Sequence, residues 1–200
     1  ITCSLGLKNI NEDSSLLIAA TDNGMIIDHD RFNNLTENSD VDAIIFSFKN
    51  HISSKTNPHM YGWVKTDENL SAIDISVKIP ISKTPHNDHA IVGTFWFKKV
   101  KFFNEALKYL KIKNIRVNNE FYVDSLMDVM IKLGYNVKVF EVDKYICWGT
   151  PNDYETFVYW QSFFHKEPSH PYNLKHDPSV NKNNLAELDK KYRTFDQEYR

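Results

Sequence analysis

Short apolar runs separated by polar turns set the rhythm of this chain. Ser15 to Ala20 is a continuous apolar run that ends at Thr21-Asp22-Asn23-Gly24, a strong turn signal. Such a run predicts a strand buried on both faces, as in α/β sheets. A helix is expected from Asp28 or Asp30, where a carboxylate can cap it, with Phe32 and Leu35 turned inward. Val41 to Phe48 predicts a second buried strand, followed by a polar loop from Lys49 to His59. Tyr61 to Thr66 and Ala72 to Lys78 alternate around Thr66-Asp67-Glu68-Asn69 and predict a hairpin. Pro80 and Pro85 mark Ile79 to Asn87 as a loop. Ala90 to Phe97 predicts a third strong strand, broken by Gly93.

The second half changes period. Phe102, Phe103, Ala106, Leu107 and Leu110 recur at helical intervals within Val100 to Lys113. A further helix is expected over Val123 to Leu133, stopped by Gly134. Val137 to Val142 and Tyr145 to Trp148 read as short strands, and Pro151 opens a helix running to Phe164. Beyond His165 the pattern turns polar, with Pro168, Pro171 and Pro178, and has little core-forming character. A surface wrap, or an arm that mediates a homo-oligomer, is compatible with such a tail. Alternating strands and helices around a central hairpin predict one α/β domain with a mixed sheet over residues 1–165, and a polar tail over 166–200. The chain opens on Ile1 and runs almost at once into a buried-type strand, which reads as a piece of something longer.

Composition narrows the class. The 200 residues are 42% hydrophobic and 14% aromatic, ample for a core, and the net charge of −2 lacks the basic excess of a general nucleic-acid binder. The two cysteines, Cys3 and Cys147, provide neither a disulfide scaffold nor a structural zinc spacing, so a reduced cytoplasmic setting is expected. No apolar run approaches the roughly 20 residues that span a bilayer, and no basic-then-apolar leader opens the chain.

Five segments can carry chemistry, each with a plainer structural explanation beside it. Asp22 follows a buried strand, where open α/β sheets place ligands and where a carboxylate suits Mg2+; it also suits a simple Asx turn. In Tyr61-Gly62-Trp63, a glycine between aromatics lets a ligand approach the backbone, or forms a bulge. Lys78 ends a strand, as a phosphate partner or a solvated lysine. Glu120 and Asp124 could accept sugar hydroxyls, or stabilise a helix start. Tyr145 to Pro151 runs from strand through Gly149 to a helix start that could hold an anion. The eight histidines form no metal-type cluster; His86 and His89 lie in a loop with Pro85 and Asn87. There is no G-x-S-x-G elbow, and Cys147 sits in an apolar strand.

The order of the segments is more telling than any one of them. TDNGMI, MYGWVKTDE, SVKIPIS, NDHAIVGTFWFKK, EFYVDSLMDVMIKLGYNVKVFEV and WGTPNDYE follow one another over Leu16 to Tyr159. This succession resembles the sugar-phosphate nucleotidyltransferase family, more closely its bacterial members from surface-polysaccharide and capsule gene clusters. The resemblance implies a GT-A-like, Rossmann-like three-layer α/β/α sandwich with a mixed sheet. It also implies Mg2+-dependent conversion of an NTP and a sugar 1-phosphate to an NDP-sugar and pyrophosphate. Under it, Asp22 is the metal ligand and catalytic aspartate, Gly62 of the Y-G-x-V segment lies against the sugar with Tyr61 beside it, and Gly93 backs the pocket. Glu120 contacts sugar hydroxyls, with Asp124 next to it, and Lys78 falls beside the family's E-K-P lysine.

Three departures accompany the likeness. The family's G-x-G-x-R loop and downstream lysine are absent from these residues, which implies that the chain alone is inactive. Lys78 stands one place early, and Trp148 occupies the position of a second metal-binding aspartate, for which Asp143 and Asp153 are the nearest substitutes. Other readings are an inactive regulatory or assembly subunit of the same fold, and a CTP-dependent cytidylyltransferase for a non-sugar phosphate. A GT-A glycosyltransferase using the D-x-D spacing of Asp28-His29-Asp30 ranks lower, because that spacing falls in a helix start.

Overall fold

The computed structural model describes residues 2–178 and 180–194, arranged as two compact units, Ile1–Ile146 and Cys147–Arg200. In the first unit, helix α1 (Thr2–Gly6) precedes strands β1 (Leu16–Ile18) and β2 (Asn23–Ile26) and helix α2 (His29–Glu37). Strand β3 (Ala43–Phe48), helix α3 (Ile52–Thr56), strands β4 (Gly62–Thr66), β5 (Ala72–Val77) and β6 (His89–Phe97) follow. Helices α4 (Val100–Ile112) and α5 (Val123–Lys132) and strands β7 (Val137–Glu141) and β8 (Lys144–Cys147) complete it.

The main sheet runs β5-β4-β6-β3-β7, with β1 added to β6, and β2 pairs separately with β8. β3 and β7 pair in parallel, whereas β1–β6, β3–β6, β4–β5 and β4–β6 are antiparallel, so the sheet is mixed, as expected. Strand alternation divides the core into two layers. Ala43, Ile45, Ile91, Phe95 and Phe97 face α4 and α5, where Phe103, Leu110, Leu126 and Met130 bury the stripes that their helical spacing predicts. Ile44, Phe46, Val92 and Trp96 face the other way, toward the half-buried Phe32 and Leu35 of α2. Phe46, Phe140 and Phe32 pack edge-on and tilted at centroid distances of 5.4 to 5.8 Å, favourable aromatic geometry. Asp28 caps α2 through Arg31 N–H at 3.0 Å, the capping role anticipated for it.

Several local expectations are corrected. Thr21–Gly24 does not close a turn, because Asn23–Ile26 continues as β2 and gains a partner in β8. The first strand is not buried on both faces: Leu16 is buried, whereas Leu17 is 54% exposed. The polar loop Lys49 to His59 contains the short helix α3, capped by His51. Gly93 does not break its strand. It adopts φ +89° inside a bulge where four β6 steps (Phe95 to Ile91) oppose two of β3 (Ile45 to Ser47). The two extra residues are an even number, so the faces of β6 stay in phase.

The free edge of β7 is covered rather than bare. Val139 N–H donates to Leu70 O at 2.8 Å, and Lys138 Nζ reaches Ser71 Oγ at 2.8 Å, so the β4–β5 hairpin tip blocks strand addition there.

The second unit holds helix α6 (Pro151–Lys166) and helix α7 (Leu185–Thr194), which pack together over Val158, Leu174 and Tyr192. The expected boundary at residue 165 therefore moves to 146, because α6 shares its core with the polar segment after it. Periodicity misses this. Among the described residues its core has three buried apolar side chains, spread over a helix, a turn and a second helix.

Phe46→Ala should lower unfolding free energy by about 3–5 kcal/mol in a urea titration. Leu17→Ala, on the exposed side of β1, should change it by less than ~0.5 kcal/mol.

Candidate active site

Two strands end against the same edge of β6. Ala20 N–H donates to Gly93 O at 3.1 Å, extending the β1 register beyond Ile18↔Phe95. Strand β4 holds the lower part of that edge through Trp63↔Ala90 and Val64↔His89, which sets Gly62 level with Ile91. The positions opposite Ala20 and Gly62 are thus two residues apart along β6, about 7 Å at the usual strand rise. The chain after Ala20 must leave the sheet here, and Asp22 lies on this departing segment.

Asp22 is exposed. Its Oδ1 is 3.3 Å from the amide nitrogen of Asn23, which also donates to Val92 O at 2.9 Å and so ties the segment to β6. A Cβ on Gly93 would stand 3.2 Å from the Ala20 Cβ, so the bulge and the absent side chain together admit this crossing. Asn23 escapes sequence reasoning because it resembles a plain turn residue. Among the described residues no group of three or more His, Cys, Asp or Glu gathers. Asp22 would offer Mg2+ one carboxylate, with waters and substrate phosphates needed as the remaining ligands. Of the two suggested second ligands, Asp143 pairs with Arg31 at 3.2 Å, and in the second unit Asp153 Oδ2 accepts from Thr150 Oγ1 at 2.7 Å.

Around Gly62 the other candidates gather. A Cβ there would come within 2.2 Å of Asp124 Oδ2 and 3.1 Å of Ile91 Cδ1. What approaches the backbone at Gly62 is thus the Asp124 carboxyl from the first turn of α5. Burial pushes this half-buried carboxyl up to about 6, opposed by the charge of Lys78. Lys78 has φ +64°, a left-handed conformation uncommon outside glycine, and its N–H donates to Tyr61 O at 3.1 Å. Its ammonium donates to Met60 O and stands 5.9 Å from the centre of the Tyr122 ring. The Tyr122 hydroxyl is hydrogen-bonded to Glu120, which raises its pKa. Glu120 is exposed, presented by a tight turn in which Val117 and Glu120 exchange backbone bonds of 2.9 and 3.0 Å. Gly62, Lys78, Glu120 and Asp124 therefore form a chain of neighbours, joined by Tyr122, which the sequence reading passed over as a spacer.

Tyr61 is the exception. Its ring belongs to the opposite core layer, packs edge-on against Phe48 at 5.3 Å, and its hydroxyl shares a 2.6 Å bond with Ser53. At 7% exposure it supports β4 from behind and does not line the pocket with its side chain. Trp148 packs against Phe157 at 5.1 Å, an apolar role at the position expected to carry a metal-binding acid.

No protein-family model matches the chain, and no curated protein matches it by sequence. Solved structures do. The chain is similar to a nucleoside-diphosphate-sugar pyrophosphorylase from Vibrio cholerae RC9, with TM-score 0.58 and 17% identity over 78% of this chain and 60% of that one. It is likewise similar to a glucose-1-phosphate thymidylyltransferase candidate from Bacillus anthracis in complex with a sucrose, with TM-score 0.56 and 17% identity over 78% of this chain and 58% of that one. The fold is thus the mixed α/β, Rossmann-like nucleotidyltransferase fold, and the chain spans about three-fifths of the length of these proteins. No described helix is long and apolar enough to cross a membrane.

Asp124 gives a direct test. A carboxyl whose folded pKa is raised, here from 3.8 to about 6, favours the fold below the lower value and loses that contribution as pH rises through the upper one. Asp124→Asn should therefore flatten the fall in thermal stability between those two pH values. Gly62→Ala should destabilise the protein, and adding Asp124→Ala should restore part of the loss; an additive double variant would contradict the contact.

Proposed function

We propose that this chain is the substrate-site portion of a sugar-phosphate nucleotidyltransferase, acting in surface-polysaccharide biosynthesis. The observation that supports the reading is that Ala20, two residues before Asp22, and Gly62, against which Asp124 lies, fall two positions apart along one edge of β6, in a fold shared with enzymes of that kind. In this reading the phosphate oxygen of a sugar 1-phosphate attacks the α-phosphorus of an NTP, and pyrophosphate leaves with its bonding electrons.

Each residue then has a defined task. Lys78 offers a mobile positive charge to the sugar phosphate. Glu120, which is exposed, accepts hydrogen bonds from sugar hydroxyls. Asp124, whose pKa is raised to about 6, accepts hydrogen bonds when ionised and can donate one only below that pH. Asp22 would hold Mg2+, whose chemistry when bound is to neutralise phosphate charge. A triphosphate cradle is not among these residues, so the full reaction needs one in addition.

A second reading is favoured by one observation. Trp148 stands where the resemblance places a second metal-binding acid and packs against Phe157 at 5.1 Å, which suits a regulatory or assembly subunit that binds ligand without turnover.

Pyrophosphate release across a panel of NTPs, sugar 1-phosphates and phosphocholine separates these possibilities. The parent protein should turn over at least one pair, and Asp22→Ala should reduce turnover by about 10²–10³-fold, the usual size of a lost electrostatic stabiliser. Undiminished turnover in that variant would remove Asp22 from the site. Sugar-phosphate binding without any pyrophosphate would select the regulatory reading, and a requirement for CTP with phosphocholine the cytidylyltransferase one.

A further inference from the structure

Helix α6 carries large aromatic side chains beyond the face it buries. Its buried residues, Val158 and Ser162, lie on the side that meets Tyr192 of α7. Tyr159, Trp160 and Phe163 turn away from that side and are 43%, 48% and 44% exposed. The three rings form one group, with Trp160 5.4 Å from Tyr159 and 5.8 Å from Phe163 between ring centres. Trp160 is backed by Phe164, stacked at 5.9 Å, and Phe164 in turn stacks on His170 at 4.2 Å. Rings supported in this way have little freedom left to lose when a partner covers them. A helix that is apolar all round is ordinarily covered all round, and large rings exposed together mark a surface for association.

The charges around the rings select the partner. Residues 156–164 carry no charged side chain, so the centre of the patch offers nothing to an ionic ligand. Glu155 and Lys166 flank it, the first exposed and the second half-buried. They stand eleven residues apart, close to three helical turns, and so lie along one line of the helix with Trp160 beside its midpoint. If two copies of α6 cross antiparallel about a twofold axis at that midpoint, each Glu155 comes level with the second copy's Lys166 on the same flank. The rings then meet rings. A parallel pairing would set Glu155 against Glu155 instead. Twofold pairing of identical patches is also the commonest closed assembly.

We propose that the aromatic face of α6 is a self-association surface, covered by the same face of a second copy in an antiparallel, twofold arrangement. Aromatic side chains offer about 150–250 Å² each, so the exposed parts of these three amount to roughly 250–300 Å² per copy. A pair of such patches buries about 500–600 Å², near half of the ~1,200 Å² at which specific interfaces begin. The rings are thus the centre of the interface, the flanking residues of α6 supply its rim, and the dimer forms reversibly with concentration. The surface is independent of the residues around Gly62, so it stands or falls separately from the catalytic reading.

The test follows the full chain by sedimentation velocity over a wide dilution series, where a reversible monomer–dimer equilibrium is expected. Trp160→Ser should weaken the dimer at least about thirty-fold, the size of an interface hot spot. Thr156→Arg puts a charge at an exposed position one turn before Trp160 and should weaken it as well, so a folding defect in one variant does not decide the result. Glu155→Lys should cost about three- to five-fold, the scale of exposed ion pairs, and adding Lys166→Glu should restore the loss. A chain that stays monomeric at every concentration would overturn the proposal. So would a dimer indifferent to both Trp160→Ser and Thr156→Arg, or a double charge reversal no tighter than Glu155→Lys alone. Binding to neutral phosphatidylcholine vesicles by a chain that never dimerises would assign the rings to a lipid surface instead.

Discussion

Strand β6 offers two edges for backbone pairing, and three strands use them. β3 takes one edge along its length, while β1 and β4 divide the other between Phe95–Phe97 and His89–Ala90. Two strands on one edge cannot overlap, so the stretch Ile91–Gly93 becomes the place where the incoming chain must turn out of the sheet. That constraint brings Ala20, just before Asp22, and Gly62, far apart in sequence, to positions two residues apart along β6. The bulge at Gly93 serves the same end: its positive φ and missing side chain let Ala20 and Asn23 pass closely.

Around this parting the chemistry follows from packing. Gly62 leaves a space that Asp124 fills, so a carboxyl is pressed against backbone and partly stripped of water. Desolvation raises its pKa, and Lys78, the nearest cation named among the causes, moderates the rise. The positive φ of Lys78 places its N–H on Tyr61 O and its ammonium near Met60 and Tyr122. Tyr61 contributes through its backbone alone, because its ring anchors β4 in the opposite core layer.

The second unit is built on a different balance. Its three-residue core is supplemented by polar contacts from α6 to α7: Ser162 to Tyr192 O, Tyr192 hydroxyl to Gln161 at 3.0 Å, and His165 to Asp189. A helix pair held this way has polar groups in its interface, and one of them, the His165 ring, is left with an unmet bond beside a cavity.

Much of the architecture is legible in the residues themselves. Continuous apolar runs mark β3 and β6, and period-two alternation marks the β4–β5 hairpin. Helical spacing marks α4 and α5, and Asp28 announces the start of α2, because these are local patterns whose meaning survives in most tertiary settings. Asp22, Gly62, Lys78, Glu120 and Asp124 are also recognisable as residue types suited to phosphate, metal or sugar. What the sequence alone determined was therefore which segments pair or pack and which residues have useful chemistry. Tertiary structure decided what those residues do to one another. It turned Tyr61 into a wall, put Asp124 where a ligand was expected against Gly62, engaged Asp143 with Arg31, and joined α6 to α7. The physical reason is that each outcome depends on through-space contact between segments distant in the chain, and periodicity records only which face a residue occupies.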